Sequence, residues 1–138
     1  MRLCDLKEAL LKTGFCGDVC ELCPRYMATR SGDPSQLDAV AELYRRLGLR
    51  DESVVSEELR CLGCTDNPSC VHGVRECALE RKVVHCGACP EYPCARIEKA
   101  FELSAHYEAL CREKASAEEY AILKRAFFEK RENLNKCL

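Results

Sequence analysis

A chain of 138 residues that carries 13 cysteines has to account for its sulfur, since ordinary domains of this size use far less. Charge is nearly balanced, with 21 basic against 23 acidic residues, which speaks against a dedicated nucleic-acid binder. No apolar run approaches the roughly 18 residues a membrane span needs, and Met1-Arg2-Leu3-Cys4-Asp5-Leu6-Lys7-Glu8 reads as an amphipathic helix rather than a secretory leader.

Leu3, Leu6, Leu10 and Leu11 recur at helical spacing, and Gly14 predicts the stop. The first cysteine group follows, between Phe15 and Pro24. Asp33-Pro34, a capping residue followed by proline at the first helical position, predicts a second helix. Its inward face is Leu37, Val40, Ala41, Tyr44 and Leu47, and Gly48 ends it. A brief helix is expected over Val54 to Leu59, then an irregular loop from Arg60 to His72 punctuated by Gly63, Asn67 and Pro68. Val74 to Lys82 reads as helical, with Cys77 in its first turn, and Cys86 to Pro90 as a tight knuckle. Pro93 suits the start of the next helix, with Cys94 in the first turn and Ile97, Phe101, Leu103 and Tyr107 along its face toward Leu110. Ser116-Ala117-Glu118-Glu119 is a capping-box signal for a last helix through Leu134. Its stripe is Tyr120, Leu123, Phe127 and Leu134, widened by Ala121, Ile122 and Phe128. The basic clusters Arg45-Arg46, Arg81-Lys82 and Lys124, Arg125, Lys130, Arg131 are interleaved with glutamates and read as solvated helix faces. Apart from the ambiguous Val83-Val84, no strand-like alternation runs beyond a few residues. The expected fold is mostly α: one domain over 1–138, with a cysteine-rich core over about 15–97 whose loops metal organises in the zinc-knuckle manner, and a C-terminal helical hairpin over about 94–135.

Three cysteine pairs have the spacing of a metal knuckle: Cys20-x2-Cys23, Cys61-x2-Cys64 and Cys86-x2-Cys89. A tight turn between two such residues points both sulfurs inward, and a tetrahedral zinc takes four ligands at roughly 2.3 Å per Zn–S bond. Paired spacing and an odd cysteine count suit metal in a reducing compartment, the cytoplasm, better than secreted disulfides. The candidate ligands fall into three groups: Cys16, Cys20 and Cys23; then Cys61, Cys64, Cys70, His72 and Cys77; then Cys86, Cys89 and Cys94, with His85 adjoining. Helix first turns favour thiolates, which suits Cys77 and Cys94. One grouping puts Cys61, Cys64 and Cys77 on one ion with Cys70 or His72, and Cys86, Cys89 and Cys94 on another with a residue of the first group. Cross-braced groupings fit the spacing as well. Cys4, Cys111 and Cys137 sit in helical patterns with no partner at ligand spacing and read as small buried hydrophobes or inert thiols. His106 reads as a surface or packed histidine.

The expected cofactor is about two Zn²⁺ per chain, with an iron–sulfur cluster as the alternative, because both are held by four-ligand thiolate sets. Mixed Cys/His ligation tilts the choice to zinc. Cys16-x3-Cys20-x2-Cys23 is also the spacing of radical S-adenosylmethionine enzymes, but their partial βα barrel exceeds this chain. Closed four-ligand sites leave no position for a substrate, so the expected role is an interaction or regulatory module with a protein partner, and neither nucleic acid nor membrane. A catalytic zinc or redox cluster, with a hydrolytic or redox role, is the enzymatic alternative.

Together, Cys16-Gly17-x2-Cys20-x2-Cys23-Pro24-x-Tyr26, Cys61-x-Gly63-Cys64, Val74-Arg75-x-Cys77-Ala78 and Cys86-x2-Cys89-x2-Tyr92-Pro93-Cys94 resemble the domain of unknown function 3795, a small cysteine-rich family of bacteria and archaea. The likeness runs from about Phe15 to Ile97. It implies zinc binding and no particular reaction. The family pattern has a cysteine five residues before the one matching Cys77, where this chain has His72; that exchange keeps a ligand and sets His72 above Cys70 as the fourth donor. Val74 stands where the family usually has isoleucine.

Overall fold

The computed structural model describes residues 13–63 and 72–135. The helix expected over 3–11 lies outside the described residues, as do Cys4, Cys64, Cys70 and Cys137. Among the described residues all regular elements are helical, and the one extended pairing is an antiparallel bridge between Thr13 and Val19.

Cys20–Leu22 forms a 3₁₀ turn, and α1 (Pro24–Ser31) follows at once. This helix was not expected from periodicity, yet its punctuation is in the sequence. Cys23 caps it in an extended conformation, Pro24 takes the first helical position, and Gly32 ends it at φ 72. Helix α2 (Pro34–Leu47) starts as expected, with Asp33 accepting the Ser35 N–H at 2.9 Å. All five of its expected inward residues are buried. The brief helix of the next segment is a 3₁₀ turn, Ser56–Leu59. Helix α3 (Arg75–Arg81) and the 3₁₀ turn Cys86–Ala88 carry the later cysteines.

Helix α4 (Ala95–Lys114) begins two residues later than expected, so Cys94 is its N-cap and not part of the first turn. Its inward face also differs: Ile97, Ala100, Ser104 and Cys111 are buried, whereas Phe101, Leu103 and Tyr107 are half-exposed. Small residues let α4 approach α2 and α5 closely, so the large side chains flank the contact instead of filling it. The capping box of α5 (Ala117–Phe127) is present, with the Glu119 N–H donating to Ser116 Oγ at 3.1 Å and the Ser116 N–H to Glu119 Oε1 at 3.0 Å. The expected single last helix breaks after Phe127, and α6 (Lys130–Asn135) continues it. The break turns the stripe, leaving Ala126 fully buried and Ile122 exposed. Ser104 Oγ (3.0 Å) and Lys130 Nζ (2.7 Å) donate to the Phe127 carbonyl at the break, which thereby keeps partners at the end of its helix.

The main core gathers Tyr44, Leu47, Leu59, Cys111 and Leu123 between α2, α4 and α5. A second cluster joins Phe15, Val74, Ala78, Ile97 and Leu134. Each large side chain so buried contributes on the order of 2 kcal/mol. The second cluster ties the cysteine loops together, and the Cys86 N–H donates to the Phe15 carbonyl at 2.8 Å. Two glycines permit this. A Cβ on Gly17, at φ 98, would stand 2.6 Å from the Lys130 carbonyl oxygen, and one on Gly87 would strike the backbone of Leu134. Helix α6 therefore lies across both cysteine loops. No helix among the described residues is long and apolar enough to cross a membrane.

Candidate metal centre

Nine of the candidate ligands lie in the described residues, and they gather around two cavities. The first, of about 100 Å³, is lined by Cys16, Cys20, Cys23, Cys61 and His72, together with Asp18. The first three cysteines are buried. Cys61 is brought to them by α1: Arg25 Nε donates to the Leu59 carbonyl at 2.9 Å, and the Cys61 N–H donates to Thr29 Oγ1 at 3.0 Å. Burial pushes the Cys23 thiol up to about 11, although the first N–H groups of α1, those of Tyr26 and Arg25, pull the other way. Burial likewise raises the Tyr44 hydroxyl, beside Cys23, well above its ordinary range.

The second cavity, of about 20 Å³, is lined by Cys77, Cys86, Cys89 and Cys94. That is room for one ion, given that a water needs roughly 10–15 Å³. Arg81 overlooks it, with Nη1 4.0 Å from Cys89 Sγ and an ion pair to Glu91. Cys77 thus joins the third cysteine group rather than Cys61, and Cys61 with His72 joins the first. Cys86, Cys89 and Cys94 stay together as expected, whereas Cys61 and Cys77 line different cavities. Spacing shows which sulfurs share a turn, but tertiary packing, which puts Ala78 of α3 and Cys86 in one apolar cluster, decides which turns meet.

Among the described residues, one set of three donors has its ligand atoms all within 4.8 Å of one another: Cys16, Asp18 and His72. Asp18 Oδ2 faces His72 Nε2 at 3.9 Å, and Asp18 Oδ1 is ion-paired with Lys130 Nζ at 2.5 Å. Burial, together with the Lys130 charge, holds the His72 imidazole down to about 4. Lys130 is 3% exposed, so it is no solvated face as its charge-rich surroundings suggested. Neither Asp18 nor Lys130 stood out in the sequence. The one available signal for Asp18 was its place between Cys16 and Cys20. His85 lines neither cavity; its Nδ1 accepts the Gly87 N–H at 3.1 Å and caps the knuckle turn. Cys111 is fully buried in the main core and also lines neither cavity. His106 is exposed.

Helices closing over two cysteine-lined cavities define a small, cysteine-rich, mostly helical domain. The chain belongs to the family described as protein of unknown function (DUF3795), whose model matches residues 12–99. No curated protein and no solved structure matches the chain.

Proposed function

We propose that this is a zinc-binding module of the reducing cytoplasm that holds about two Zn²⁺ ions, one per cavity, and serves a protein partner as an interaction or regulatory unit. One observation carries the reading: all nine described candidates line one cavity or the other, and none is stranded on the surface. The residues fit the ion. Cys77, Cys86, Cys89 and Cys94 are a four-thiolate set around a space of about 20 Å³, the arrangement of a closed structural site. The first ion draws on Cys16, Cys20, Cys23, Cys61 and His72, more donors than one four-coordinate ion needs. Among the described residues His72 Nδ1 is buried without a hydrogen-bond partner, so the ring is not already held through that atom. When bound, zinc supplies folding free energy and neutralises thiolates that the small core could not shelter alone.

The near balance of basic and acidic residues supports a protein partner over nucleic acid. Elemental analysis and a visible spectrum of anaerobically purified protein test the reading. About two zinc ions in a colourless protein is the expected result. A brown protein would replace zinc with an iron–sulfur cluster, and protein free of any metal would overturn the proposal.

A further inference from the structure

The two cavities are unequal. The second has room for an ion and nothing else, whereas the first, at about 100 Å³, has room for several waters beside one. The donors gathered at one end of it are mixed. Asp18 Oδ2 and His72 Nε2 stand 3.9 Å apart, too far for a hydrogen bond but close enough to reach a common ion at roughly 2.0–2.2 Å each.

The carboxylate is already aimed. Lys130 Nζ holds Oδ1 at 2.5 Å and is itself fixed by Ser104 Oγ at 3.1 Å and the Phe127 carbonyl at 2.7 Å. An anchor on one oxygen presents the other in a fixed direction, as the outer partners of ligating carboxylates do. The His72 side chain is 9% exposed, and among the described residues Nδ1 has no partner. Nε2, the nitrogen that faces Asp18, is the one the geometry offers to the ion.

Charge separates the two centres. A divalent ion on four thiolates carries a net charge of minus two and repels anions. On one thiolate, one carboxylate and a neutral imidazole it is neutral. The cations Arg50 and Lys130 line the same cavity, and the Arg50 guanidinium lies over the Tyr44 ring at 5.6 Å. Tyr26, Tyr44 and Phe127 supply apolar wall.

We propose that Asp18 joins Cys16 and His72 as a ligand of the ion in the first cavity, and that the fourth position takes a small carboxylate or comparable monoanion from that cavity. The inference rests on the zinc reading above and changes its donors at the first ion, putting Asp18 in place of Cys20, Cys23 and Cys61. Cys20, Cys23 and Cys61 then line the anion's space as thiols instead of closing the ion off.

Protein loaded with Co²⁺ in place of zinc tests this, with azide as the probe and acetate as competitor. Azide is expected to shift the d–d bands of the first ion and acetate to reverse the shift, while the thiolate charge-transfer bands of the second ion stay unchanged. Asp18→Asn alone would strand the buried Lys130 charge, so the informative variant is Asp18→Asn with Lys130→Met. It should lose the azide response and bind the first ion at least 10-fold more weakly. Its retained charge-transfer bands report that it is folded. A wild-type spectrum indifferent to azide, or a double variant that responds as wild type does, would overturn the assignment. Failure to take up any cobalt would sink the zinc reading itself.

Discussion

Lys130 and Asp18 form an ion pair at 2.5 Å whose ammonium is 3% and whose carboxylate is 17% exposed, and it joins α6 to the first cysteine loop. A buried pair contributes less by its attraction than its loss takes away, because one partner removed leaves the other charged and unsolvated. Lys130→Met is therefore expected to destabilise the zinc-loaded protein by about 3–5 kcal/mol. Lys130→Met with Asp18→Asn should recover a large part of that. Denaturant titration at fixed zinc measures both, and additive losses would show that the pair is not coupled.

Chelation should unfold the cysteine loops. Their short helices, α3 and the two 3₁₀ turns, are too small to persist without tertiary support, and metal binding supplies it. A strong chelator is expected to reduce helical circular dichroism and added zinc to restore it. An unchanged spectrum in protein shown to be metal-free would refute the link.

Ligands and bystanders should separate by substitution. Cys89→Ser takes a donor from the second cavity and should lower the zinc ratio and solubility. Cys111 is fully buried in the main core and lines neither cavity. Cys111→Ala should lower stability by about 1 kcal/mol and leave zinc content intact. Equal zinc loss in the two variants would put Cys111 among the ligands.

Position 72 sets the acid limit of the first site. The folded imidazole is held to about 4 against an ordinary value of 6.5, chiefly by burial and then by the Lys130 charge. Between those values the unfolded chain binds a proton that the native chain refuses. Stability from this group is thus full above pH 6.5 and lost as pH falls toward 4, on the order of 3 kcal/mol in all. Zinc release from the first site on acidification is expected to depend on what occupies position 72. His72→Cys should keep the ion at neutral pH, and His72→Ala should yield it to a chromogenic chelator. Equal affinity in wild type and His72→Ala would remove His72 from the ligand set.

The capping box offers a control remote from metal. Ser116→Ala should cost about 1 kcal/mol of stability without changing zinc content. The Ser116 N–H, with help from Arg46, holds the Glu119 carboxyl below its usual value. Its contribution is accordingly present above the ordinary carboxylate range and fades as pH falls through the lowered value. A pH-independent difference between wild type and Glu119→Gln would contradict this.

Punctuated helices were legible in the sequence. Asp33-Pro34 with Gly48, and Ser116 with Glu119, mark α2 and α5 because caps are local chemistry. Helix α1 went unseen because its first residues belong to the cysteine loop and its apolar pattern is weak. The face of α4 differs from the large-hydrophobe stripe its periodicity suggests, because close packing selects Ala100 and Ser104. The cysteines that line the two cavities could be named from spacing, but their grouping could not, since which turns meet depends on tertiary packing. Lys130 was hidden for a related reason. Its neighbours Glu129 and Arg131 look like a solvated face, and only the break at Phe127 turns its side chain inward.

The close approach of α6 at Gly17 and Gly87 also sets a schedule. Cys20 leaves the ribosome more than a hundred residues ahead of Leu134, an interval on the order of ten seconds at roughly 5–20 residues per second. Through that interval neither loop has the cover that completes it, so the nascent thiols meet cellular oxidants and competing metals before the native site exists. On the zinc reading, selection of the ion would therefore fall to whatever guards those thiols during synthesis, or to exchange after α6 has docked.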